Sequence, residues 1–164
     1  MLRRMIRRRP ILIALAAVAA GPALAQPGVD RPQPRLPTEK LTIVKRDGSR
    51  IDFTVEMALS PDQQMVGLMF RPEVKADEGM LFDWGAPRES SMWMRNTLAP
   101  LDMLFIAADG RIQRIAERTV PLSLTPVESR GPVRATLELQ AGITEKLDIR
   151  VGDKVLHRLF GTAS

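Results

Sequence analysis

Hydrophobic and polar positions follow two rhythms along the chain, and the first has a period of two. In "KLTIVKRDGSRIDFTVEMA", residues 40–58, Leu41 and Ile43 alternate with polar neighbours, and Ile51, Phe53 and Val55 resume the alternation after Asp47-Gly48. Alternation on both sides of an Asp-Gly pair predicts a β-hairpin with a tight turn. "SPDQQMVGLMF", residues 60–70, changes the period. Ser60 fits a helix N-cap, Pro61 the first helical position, and Gln63 the capping-box position. Met65, Val66, Leu68 and Met69 make up the predicted buried face of that helix. Gly67 within it costs about 1 kcal/mol against alanine, so another group is expected close to its backbone.

Beyond the loop-like "RPEVKADEG" come short apolar pieces, "MLFDW", "SMWMRN" and "LDMLFIAA". Asp109-Gly110 is a second turn signal, leading into "RIQRIAERT", and a long loop with Pro121, Pro126 and Pro132 follows. "VRATLEL" reads as another alternating strand, "TEKLDI" as a helical turn and "DKVLHRLF" as a final strand. About eight short strands with one or two short helices, without regular β-helix-β alternation, predict a mainly β fold: a β-sandwich or jelly-roll-like antiparallel sheet. "QPGVDRPQPRLPTEK", residues 26–40, has four prolines and almost no bulky apolar residue, so it reads as an extended tether. One β-rich domain over residues 41–160 follows from these boundaries.

Charge and the first residues then change the picture. "MLRRMIRRRP" carries five arginines and no acid, and "ILIALAAVAAGPALA" has the length of a signal-peptide core, ending on Ala23-Leu24-Ala25. Cleavage after Ala25 is expected, by the general or the twin-arginine route, with a periplasmic or secreted product and no stable membrane insertion afterwards. The chain has 24 basic and 19 acidic side chains, and the surplus of five lies wholly in residues 1–25. The remainder is neutral and has no basic stripe, so nucleic-acid binding is not expected. The chain lacks cysteine, which removes disulfides, lipidation after the signal and thiolate chemistry. A monomer held by its own core is the expected state.

The same inventory narrows the chemistry. His157 is the single histidine and reads as a solvated strand residue, so no metal site and no cofactor is expected. No serine stands in a nucleophile elbow and no glycine-rich loop follows a strand. The conspicuous stretch is "SSMWMRNTLAPLDMLFI", residues 90–106. With "SMWMRN" and "LDMLFIAA" on adjacent antiparallel strands, Arg95 would face Asp102 and Trp93 would face Leu104. Two readings stay open. Arg95 and Asp102 form an ion pair locking a hairpin mouth, or Arg95, Asn96 and Asp102 converge beside the Trp93 indole to grip a small polar ligand.

"GLMFR", "GMLF", "WMRNTLAPLDMLFI", "ADGRI" and "LEL.AG", in this order and spacing over residues 41–160, resemble the uncharacterised family catalogued as domain of unknown function 192. The resemblance implies a compact, mainly antiparallel β domain. This chain departs from the family pattern at Met92, where an aromatic is usual, and at Arg95, where lysine is frequent. The family's polar signature lands here on Glu56, Arg71, Trp93, Arg95, Asn96, Asp102 and Glu138, which are the candidate ligand-binding residues. The expected function is a binding or interaction module for a small molecule, glycan or peptide of the cell envelope. The alternatives are a small hydrolase using Glu56 and Asp102 as paired carboxylates, and a structural accessory presented by its proline tether.

Overall fold

The computed structural model describes residues 29–162. The expected signal segment and its cleavage point lie outside the described residues. The first predicted hairpin is present: β1 (Thr38–Val44) pairs antiparallel with β2 (Arg50–Ala58), with Val44 opposite Arg50 and Gly48 at φ 83° in the turn. The tether expectation is corrected at its end. Thr38–Lys40 already belong to β1, Gln33 donates to the Gln63 and Gly67 carbonyls, and the Leu36 N–H donates to Glu56.

Helix α1 (Pro61–Val66) carries the capping box in full, with Ser60 and Gln63 satisfying each other's backbone N–H groups. It is shorter than predicted. Gly67 ends it at φ 51°, so Leu68 and Met69 are buried from the following turn, whereas Met65 is exposed. The group close to Gly67 is the Phe82 ring, 3.1 Å from where a Cβ would stand.

The next elements are β3 (Glu78–Arg88), β4 (Ser91–Met92), β5 (Leu101–Ile106), β6 (Ile112–Ala116), β7 (Val127–Glu128), β8 (Val133–Gln140), α2 (Ile143–Lys146) and β9 (Lys154–Leu156). Seven strands form one sheet in the order β6-β5-β8-β3-β2-β1-β9, and β4 pairs only with β7. The fold is mainly β, as expected, with one departure from antiparallel order: β2 and β3 run parallel, the chain crossing between them through α1. The sheet curls until its edges meet. The Ile112 N–H donates to Asp153 O at 2.9 Å, and the Val155 N–H donates to Gly110 O at 2.8 Å.

Curling gives the sheet an inner and an outer face, each with its own core. Leu41, Phe53, Leu81, Leu104, Leu137 and Val155 fill the inside. Met80, Phe82, Met94, Leu101, Met103 and Phe105 lie outside, covered by the chain between α1 and β3 and by the segment around Met94. β5 is therefore buried on both faces, as its unbroken apolar run requires. Each large side chain among these gains roughly 2 kcal/mol from burial.

"SMWMRN" is not the strand partner of β5. Only Ser91 and Met92 are extended; the Met94 N–H donates to Ser123 O, and the Thr97 N–H returns to Met94 O around Asn96 at φ 55°. A short polar side chain tolerates that left-handed conformation, and the turn it makes ends the strand. β5 pairs instead with β8 and β6. His157 is also corrected: it is 3% exposed and caps a closing 3-10 turn, its Nδ1 accepting from the Leu159 N–H.

Candidate functional site

Strand register sorts the candidate carboxylates. Asp102 stands opposite Leu139, whose side chain belongs to the inner core. Its carboxylate is fully buried and accepts from four donors: the N–H groups of Arg118 (2.8 Å), Gly142 (3.0 Å) and Thr144 (3.0 Å), and the Thr144 hydroxyl (2.7 Å). Asp102 thus ties the β6–β7 loop and the start of α2 to β5. Arg95 is nowhere in that set. Its guanidinium is exposed and lies 5.6 Å from the Trp93 ring centroid, so neither the hairpin lock nor the Arg95–Asp102 grip exists. Asn96 serves the turn, its carbonyl accepting from the Phe70 N–H and its amide donating to Met69 Sδ.

Glu56 and Glu138 lie on the outer face. In register across β2, β3, β8 and β5 run Glu56, Met80, Glu138 and Met103. Glu56 is 3% exposed and fully partnered. Arg71 grips it with both guanidinium nitrogens, the second at 2.9 Å, and the Leu36 N–H donates at 2.7 Å. Burial pushes the Glu56 carboxyl up, but the Arg71 hydrogen bonds, the Leu36 N–H and the charges of Arg71 and Arg35 outweigh it and hold the group below its ordinary value. Glu56 and Asp102 lie on opposite faces of the sheet, and both are saturated with donors. They cannot act as a catalytic pair on one substrate, which removes the mechanism of the hydrolase alternative.

Glu138 differs from its neighbour in the row. It is 4% exposed, no hydrogen-bond donor or charge among the described residues meets its carboxyl, and burial pushes it up to about 8. A group with that titration is a neutral carboxylic acid at pH 7, able to donate and to accept. It lines a cavity of about 380 Å³ on the outer face, whose walls include Phe82, Trp84, Met65, Met69 and Trp93. Phe82 and Trp84 are stacked with centroids 5.8 Å apart, and the Trp84 Nε1–H donates to Thr136 at 3.2 Å, which fixes the indole. At the rim, the Arg88 guanidinium sits 4.5 Å over Trp84, and Trp93 is 46% exposed.

Of the seven sequence candidates, the cavity lining therefore includes Trp93 and Glu138, while Glu56 and Arg71 lie beside it as a closed pair. The Arg95 guanidinium lies by Trp93, and Asn96 and Asp102 serve the backbone. Sequence reasoning missed Phe82, Trp84, Met65 and Arg88. The signal was present in "GMLFDW", where alternation puts Met80, Phe82 and Trp84 on one face. Among the described residues, no group of three or more His, Asp or Glu side chains is placed to hold a metal ion.

Comparison with known proteins agrees with this architecture. The chain is 42% identical to a protein from Sinorhizobium meliloti 1021 whose crystal structure is labelled that of a provisional transcription regulator, with a TM-score of 0.75 over 77% of this chain and 98% of that one. It is 38% identical to a protein of unknown function from Novosphingobium aromaticivorans DSM 12444, with a TM-score of 0.72 over 88% of this chain and 99% of that one. Comparison with curated proteins finds no match. The family model DUF192, described as "Uncharacterized ACR", matches residues 42–157, nearly the whole curled sheet. The chain belongs to the DUF192 family.

Proposed function

We propose that this chain is an exported binding module that holds a small polar molecule, a glycan unit or a peptide segment in the outer cavity above Glu138. One observation carries the reading: a carboxyl 4% exposed, with no partner among the described residues, lies in the wall of a cavity flanked by both tryptophans of the chain. Burying an unsatisfied polar group costs stability. Such a cost is retained where the group has a task that packing does not need. Indole faces give a ligand flat apolar contact, and the carboxyl gives it direction. The transcription-regulator label stays with the Sinorhizobium protein, because residues 26–164 here balance 19 basic against 19 acidic side chains.

Export rests on residues 1–25, five arginines followed by an apolar core and an Ala-Leu-Ala end. Cell fractionation with N-terminal sequencing tests it: a periplasmic or secreted product beginning at Gln26 is expected, and an intact cytoplasmic chain contradicts it. The binding reading is tested by thermal-shift screening of envelope-derived sugars, short peptides and small polar metabolites. Stabilising compounds are expected to lose their effect in Trp93→Ala and Glu138→Gln. Hits that stabilise both variants as well as they stabilise the parent would move the site elsewhere.

A further inference from the structure

The chemistry of the cavity wall narrows the ligand class, on the basis of the binding reading above. Two ionisable side chains contribute to the lining, Glu138 and Arg88. Arg88 is already engaged, its guanidinium stacked on the Trp84 face, and it contributes no charge interaction to Glu138. Around Glu138 the strand neighbours in register, Met80 and Met103, are thioethers. On the same face, the charge of Glu56 is met by Arg71 and Arg35. The wall thus presents electron-rich surfaces (two indoles, the Phe82 ring and the thioether side chain of Met65) around one carboxyl that Arg88 does not pair. Aromatic faces attract cations through the ring quadrupole, and this chain uses both indoles that way, with Arg88 on Trp84 and Arg95 on Trp93.

We infer that the cavity takes a small organic ammonium, its apolar body between Trp84 and Trp93 and its charged nitrogen against the Glu138 carboxylate. The proton balance is explicit. Unliganded Glu138 carries a proton at neutral pH; the ammonium arrives as a cation, Glu138 ionises to meet it, and that proton passes to the buffer. A neutral sugar or an anion would leave the carboxyl protonated. Uptake of an ammonium and release of a proton are therefore one linked event.

Both tryptophans of the chain line the cavity and the chain has no tyrosine, so intrinsic fluorescence reports on the site itself. The test titrates the purified protein at pH 7 with 2-phenylethylammonium, with the uncharged isostere 2-phenylethanol, and with the anion 3-phenylpropionate. Calorimetry in two buffers of different ionisation enthalpy counts protons. The amine is expected to bind at least about tenfold tighter than the alcohol, with release of close to one proton per site. Glu138→Gln, checked for an intact fold by near-ultraviolet circular dichroism, is expected to lose both the preference and the proton. If the alcohol or the anion binds as well as the amine and no proton is released, the ammonium assignment is overturned while the cavity stands as a binding site. If none of the three probes, and no compound of the wider screen, perturbs either tryptophan, the binding reading falls as well.

Discussion

Glu56 and Glu138 share one cross-strand row with Met80 between them, yet their carboxyls are governed in opposite ways. Arg71 and the Leu36 N–H hold Glu56 ionised, whereas Glu138 has burial alone and keeps its proton to about 8. The unfolded chain releases that proton near 4.5, so the folded state retains it through a window in which the unfolded state has lost it. A group with a raised folded-state pKa contributes stability fully below the unfolded value and loses it as pH rises through the folded one. Relative to Glu138→Gln, the parent is therefore expected to weaken between pH 5 and 8 at up to ~1.4 kcal/mol per pH unit, measured by urea unfolding. His157, whose pKa burial lowers, falls out of that comparison because both proteins carry it.

At the scale of elements, the segment after β4 explains why the tryptophan cluster misled sequence reasoning. Alternation within "SMWMRN" is that of a strand, but Asn96 turns left-handed and Met94 bonds the loop at Ser123, so the residues that looked paired are separated. A double-mutant cycle on Arg95 and Asp102, read by thermal unfolding, is accordingly expected to show no coupling beyond ~0.5 kcal/mol. Asp102→Leu alone orphans buried donors that the carboxylate satisfied and is expected to cost at least about 3 kcal/mol, against near zero for Arg95→Met. The hairpin, the capped helix and the late strand were legible because each depends on neighbours in sequence. Which side chains meet Asp102 or Glu138 depends on which face a strand turns toward which core, and that is set by long-range pairings such as Thr144 with Asp102, 42 residues apart. Gly67 is the exception, a local residue that announced a distant contact. Gly67→Ala, at φ 51° and 3.1 Å from Phe82, is expected to cost roughly 1–3 kcal/mol by thermal unfolding and to disturb the cavity it lines.

For the whole molecule, closing the curled sheet is what makes an outer face available for a site. Inner side chains fill the interior, leaving binding to the outer face, which loops partly cover. The seam depends on Gly110, at φ 85°, where a Cβ would lie 2.6 Å from Val155 O. Gly110→Ala is expected to part β6 from β9, lowering stability by roughly 2–4 kcal/mol and speeding hydrogen exchange at Ile112 and Val155. A mainly β fold was legible as strand-rich order without helix alternation; a single sheet meeting its own edge was not, since β9 is only three residues long. The outer cavity stands or falls on its carboxyl. Carbon-13 NMR titration of the Glu138 Cδ in the unliganded protein measures it directly. A midpoint near 8 is expected for an unpartnered acid in an apolar wall; a midpoint at the ordinary value of 4.5 would mean that Glu138 is solvated or paired, and that the cavity has no reserved group for a ligand.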